Sequence, residues 1–118
     1  MFVRTGLPIY DIFGLQVRPG DILGRTKPGS IIEHRALVCF DGTIGHTSGP
    51  DDAFRPAALE EILNDGGVIR IVYPTRSLEE TQWRFDRANQ IIGVSWWKMN
   101  CHTTADFIVG RIPHVWIN

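Results

Sequence analysis

HRALVCFDGTIGH, residues 34–46, is the stretch whose reading decides the fold. Its Asp41-Gly42 pair is a strong two-residue hairpin signal, with an apolar run before it and TIGH running back after it. In the first arm Leu37 and Cys39 share one face, and Ala36, Val38 and Phe40 share the other. Both faces are apolar, so the arm is predicted to be a central strand with Cys39 as a buried core thiol. Folding the hairpin brings His34 and His46 together. Counted from the turn, Arg35 or Glu33 falls opposite His46 or its neighbours, which sets the two imidazoles side by side or diagonally. One of them can then act as a base while the other holds it in the right tautomer.

Upstream, Arg18-Pro19-Gly20 marks a turn before the strand candidate DILGR, and Lys27-Pro28-Gly29-Ser30 marks a loop after it. Downstream, Pro56 followed by AALEEILND and Gly66-Gly67 predicts a short helix with proline near its first turn. VIRIVY, Val68 to Tyr73, reads as a strand closed by Pro74. Ser77 and Glu80 fit a capping box, and Leu78, Phe85, Ala88, Ile91 and Ile92 recur near a 3.6-residue period up to Gly93. A last helix is expected from Asn100-Cys101 to near Gly110. Strands come first and helices later, the order of a mixed α+β domain, and 118 residues allow only one, spanning 1–118.

The composition is that of an ordinary globular chain, 43% apolar and 21% charged, and a formal charge of -1 gives no reason to expect a nucleic-acid partner. No window has the length of a membrane span, so no integral anchor is expected. The start, MFVRTGLPIYDIFG, carries charge and proline too early for a secretory leader. Two cysteines are too few for a disulfide framework, which agrees with a cytoplasmic location.

NCHTTADF, residues 100–107, places Cys101 where a helix begins. A free thiol is only about 3% ionised at pH 7, and the unpaired N–H groups and macrodipole of a helix start stabilise the thiolate. A nearby imidazole completes the activation. Of four histidines, His102 would point about 100° away from Cys101 on a helix and is a weak candidate. His114 is expected to be structural or exposed.

At this point the sequence resembles a known family. HRALVCFDGTIGH followed by Asn100-Cys101 is similar to the H-box and NC-box of the lecithin:retinol acyltransferase-like proteins, a circularly permuted branch of the papain-like, NlpC-type cysteine hydrolases. RPGDIL, Arg18 to Leu23, is similar to the opening strand of that family, and RANQIIG, Arg87 to Gly93, to its helix before the nucleophile. The resemblance implies a small antiparallel sheet packed against the helix that carries the nucleophile. It implies Cys101 as nucleophile, His34 as general base and His46 as the orienting third member. The reaction implied is amide or ester cleavage through an acyl-thioester, by a peptidase, amidase or phospholipid acyl hydrolase or transferase. No cofactor and no metal is required, and the substrate would be a small-molecule, lipid or peptide acyl compound. The chain departs from the pattern in reading NCHTT where many members read NCEHF, and Arg35 where an aromatic often follows the first histidine.

Around these residues, the Cys101 backbone N–H is the expected oxyanion donor. Trp96, Trp97 and Arg35 are candidate substrate contacts. Asp51 and Asp52 are expected on a solvated loop, and Glu60 and Glu61 do not read as a carboxylate pair. GTIGHTSGPDD lacks both common phosphate-loop patterns. Two other functions compete: a catalytically inactive binding module on the same fold, and a zinc site built from Cys101, His102, His34 and His46.

Overall fold

The computed structural model describes residues 8–63 and 66–113, so the first residues of the chain, His114 and Trp116 lie outside the described part. Five strands form one antiparallel sheet: β1 (Ile22–Thr26), β2 (Glu33–Val38), β3 (Thr43–His46), β4 (Arg55–Ala58) and β5 (Val68–Tyr73), in spatial order β4-β3-β2-β1-β5. Three helices accompany it among the described residues: α1 (Glu60–Leu63), α2 (Leu78–Asn89) and α3 (Cys101–Ile108). The α+β expectation holds, and β2 is the middle strand, as its two apolar faces require.

Alternation along the strands builds a core on each side of the sheet. Ile22 and Leu37 pack with Ala88 of α2 and with Ala105, Phe107 and Ile108 of α3. Leu23, Ala36, Val38 and Ile44 pack on the opposite side with Leu59 and with Ile62 of α1. No helix among the described residues is long and apolar enough to cross a membrane.

The hairpin differs from its expected form. The Gly42 N–H donates to the Cys39 carbonyl at 3.1 Å, the Cys39 N–H donates to the Thr43 carbonyl at 2.9 Å, and Gly42 sits at φ 80°. The loop is therefore Phe40-Asp41-Gly42, with glycine supplying the left-handed residue, and not Asp41-Gly42 alone. Pairing then runs Leu37↔Gly45 and Val38↔Ile44. Continued by one residue, it sets Ala36 opposite His46, with His34 on the same face one diagonal step away.

The predicted helix after Pro56 is also corrected. Residues Arg55–Ala58 are the edge strand β4, where a residue without an N–H costs no ladder bond, and the helix is only Glu60–Leu63. In α2 the Ser77 hydroxyl accepts the Glu80 N–H at 3.0 Å as predicted, but the Glu80 carboxylate takes the Arg76 N–H and not that of Ser77. Leu78 and Ile92, expected on the buried face, are exposed. Their place is taken by Thr81 and Arg84. The Arg84 guanidinium donates to the Gly20, Tyr73 and Pro74 carbonyls, fastening α2 to the end of the sheet.

The same junction supplies a stability prediction. Gly20 has φ 95° and donates its N–H to the Val38 carbonyl, and a Cβ there would lie 2.5–2.9 Å from the Thr81 side chain. Thr81 has little room to yield, since its hydroxyl bonds to Thr75 at 2.6 Å and to the Ser77 carbonyl at 3.0 Å. Gly20→Ala should lower stability by about 2–3 kcal/mol, read from the urea midpoint, because backbone strain and overpacking add.

Candidate active site

The hairpin brings the two histidines into contact. His34 Nε2 lies 2.8 Å from His46 Nδ1, with the rings edge to face at 5.0 Å. The chain of contacts continues to Glu61, which the sequence does not mark as a site residue. His46 Nε2 lies 3.3 Å from Glu61 Oε1 of α1. Arg55, the cross-strand partner of His46, holds both oxygens of Glu61 at 3.1 and 3.3 Å. Asp52 in turn holds Arg55 Nε at 3.0 and 3.1 Å and accepts from Ser48 and Ala53, so it is a structured ion-pair member and not a free loop carboxylate.

These contacts assign the protons. The hydrogen bonds from Arg55 hold the Glu61 carboxyl below its usual range, so it accepts. His46 must then carry its proton on Nε2 and accept on Nδ1. His34 therefore donates from Nε2, and its Nδ1 is left as a lone pair. Burial pushes the His34 imidazole down to about 4, with further lowering by His46, Arg25, His102 and Lys27. Burial also lowers His46, against the pull of Glu61. At neutral pH both rings are uncharged, and His34 is a base in a single tautomer.

Cys101 is the first residue of α3. Asn100 caps the helix, its Oδ1 accepting the N–H groups of His102 and Thr103 at 3.0 Å each. The cap thus takes two first-turn donors and leaves the Cys101 N–H with no partner among the described residues. The start of α3 is fastened to the start of β2, since His102 Nε2 donates to the Glu33 carbonyl at 2.6 Å. His102 is thereby a structural link, and it joins the neighbour of Cys101 to the neighbour of His34.

The structure does not close the thiol onto the imidazole. Among the described residues the Cys101 thiol makes no hydrogen bond. The reason lies in the sheet: α3 packs on the Leu37 side, whereas His34 alternates with Ala36 and Val38 and faces the other side. The two approaches are linked where β2 begins. There β3 no longer pairs with β2, so the strand edge beside His34 carries no ladder.

The other candidates fall elsewhere. Arg35 lies on the α3 side, its Nη1 3.8 Å from Asp106 of that helix. Trp96 and Trp97 pack edge to face in the loop before Asn100, and Trp97 is 75% exposed. Cys39 is half-buried in the wall of a cleft of about 520 Å³ shared with Phe40, Phe54, Phe85 and Ile92, and is not enclosed in the core. That cleft is at the hairpin end of β2, roughly 17 Å along the strand from His34. Among the described residues no three His, Cys, Asp or Glu side chains form a metal-holding cluster, so Cys101, His102, His34 and His46 do not gather as a zinc site. In comparison with known proteins, the sequence matches no family model and no curated protein.

Proposed function

We propose that the protein is a cysteine-dependent hydrolase or acyltransferase of the permuted papain-like, NlpC-type fold, akin to the lecithin:retinol acyltransferase-like proteins. The observation that carries the reading is the hydrogen-bonded chain Glu61–His46–His34, buried at His46, which presents one neutral imidazole whose Nδ1 has no partner among the described residues. It stands where β2 meets the helix start that holds Cys101. Two unpaired thiols suit a cytoplasmic enzyme.

In the first step the Cys101 sulfur attacks an ester or amide carbonyl carbon as its proton passes to His34 Nδ1. The C=O electron pair moves onto oxygen, where the Cys101 N–H donates to it. Collapse expels the alcohol or amine, which takes the proton from His34, and leaves a thioester. Water, or a second alcohol or amine, then gives a proton to His34 and attacks the thioester carbon, releasing the thiol. His46 and Glu61 hold the His34 tautomer throughout and acquire no proton.

A binding module that has lost catalysis is the competing reading, and the absence of a thiol–imidazole hydrogen bond favours it. The catalytic reading rests on the ordered imidazole and the capped helix start, and it requires the Cys101 side chain to reach His34 around the start of β2. The deciding experiment is alkylation by iodoacetamide between pH 5 and 9, followed by mass spectrometry. Cys101 should already react fast near neutral pH and slow by about tenfold or more in His34→Ala, since general-base assistance is worth at least that much. Cys39, whose thiol is pushed up by burial, should react slowly in both proteins. Equal, slow reaction of Cys101 in both would leave the binding module standing.

A further inference from the structure

Among the described residues the Arg35 side chain is a half-sealed cation with no hydrogen bond. Its side chain is 15% exposed, and its Nε is sealed from solvent without a partner. The nearest carboxylate oxygens are 3.6 Å away on Glu33 and 3.8 Å away on Asp106, beyond hydrogen-bond length. Both carboxylates are already engaged. Glu33 is held by two bonds from Arg70, at 2.6 and 3.0 Å, and Asp106 accepts from the Tyr73 hydroxyl at 3.2 Å. Arg35 instead lies over the Tyr73 ring at 5.5 Å, and Arg111 approaches the same ring at 5.6 Å. Among the described residues three arginines, Arg35, Arg70 and Arg111, face two carboxylates, Glu33 and Asp106, an excess of one positive charge.

This charge stands beside the Cys101 helix start. His102 meets Glu33 and Asp106 meets Arg35, so α3 runs along β2 with those residues one turn apart, about 5.4 Å. Arg35 is therefore about one helical turn from the residue next to Cys101.

We propose that Arg35 is the specificity-determining cation of the Cys101 site and that the substrate carries a carboxylate close to its scissile carbonyl. The inference rests on the thiol-site reading above. A carboxylate matches the planar guanidinium fork, and its single charge matches the single unmatched cation.

The test compares two alkylating agents of nearly the same size on Cys101, iodoacetate with a carboxylate and iodoacetamide without. The ratio of their rate constants should fall about three- to fiftyfold in Arg35→Gln, the range set by one charge pair near 7 Å between aqueous and surface-like screening. It should rise in Asp106→Asn, which frees Arg35 further, and shrink in wild type at 1 M salt. Arg35→Lys should retain part of the preference, and serves if Arg35→Gln does not fold. Cys39 in the same samples should keep one ratio throughout, which a general structural disturbance would not produce. An unchanged Cys101 ratio in Arg35→Gln or Arg35→Lys and across the salt series, with iodoacetamide still reacting in a His34-dependent way, overturns the role of Arg35 and leaves the thiol site intact. Failure of wild-type Cys101 to react with iodoacetamide overturns both.

Discussion

His46→Leu is expected to lower kcat/KM for the proposed Cys101-dependent ester cleavage by about 10²–10⁴-fold while leaving Cys101 and His34 in place. The magnitude follows from what the second imidazole does. His46 Nδ1 accepts the His34 Nε2 proton at 2.8 Å, and that bond keeps the His34 lone pair on Nδ1. Leucine accepts nothing, so the buried proton is free to move to Nδ1, the position from which the base must act. Loss of the orienting group in the Ser-His-Asp triad costs about 10⁴ in kcat through the same tautomer error, and general-base assistance as a whole is worth 10²–10⁴. Glu61→Gln should have a smaller effect, about tenfold, because Glu61 lies one bond further away at 3.3 Å and is 42% exposed. Nitrogen-15 NMR of the imidazoles separates this from general loosening. Wild-type His34 should carry its proton on Nε2, and His46→Leu should show mixed tautomers in a folded protein. Near wild-type kcat/KM in His46→Leu would remove His46 from the mechanism.

The hairpin was legible because its signals are local: an Asp-Gly pair, an apolar run with alternation, and two histidines twelve residues apart. Its register was not. A two-residue loop would set His46 opposite Leu37, on the face away from His34. The added loop residue, Phe40, shifts pairing by one and turns both imidazoles to one face. The helix start at Cys101 was legible too, since Asn100 before an apolar-periodic run is a local cap signal. Glu61 was illegible because its role depends on the edge strand β4 placing Arg55 across from His46, and Pro56 concealed that strand. Arg84 and Thr81 on the buried face of α2 were equally hidden. They are polar, and only the approach of the Gly20, Tyr73 and Pro74 carbonyls to Arg84, and of Thr75 and the Ser77 carbonyl to Thr81, makes burial favourable. Contacts between distant segments carry no local signature, and half of this site is built from them.

Stability should fall by about 3 kcal/mol between pH 6.5 and pH 4 through His34 alone. Its imidazole titrates near 6.5 when exposed and is pushed down to about 4 in the fold by burial, so the unfolded chain takes up the proton first as pH drops. The contribution is fully present above 6.5, shrinks as pH falls below it, and is gone by about 4. Each unit of difference is worth about 1.4 kcal/mol, which gives the total. His46 is lowered as well and acts in the same direction. The carboxylates held below their usual range, Asp52 and Glu61 among them, add a separate loss further into acid. Urea unfolding at pH 7, 6, 5 and 4.5 checks the window. The wild type should lose most of this stability before the carboxylates begin to titrate, and His34→Gln, which has no proton to take up at that position, should be less stable at pH 7 and show only the shallower slope that His46 contributes over the same range. A wild-type curve that stays flat from pH 7 to 5 would mean that His34 takes a proton as readily folded as unfolded. It would then not be the buried, neutral base that the proposed chemistry requires.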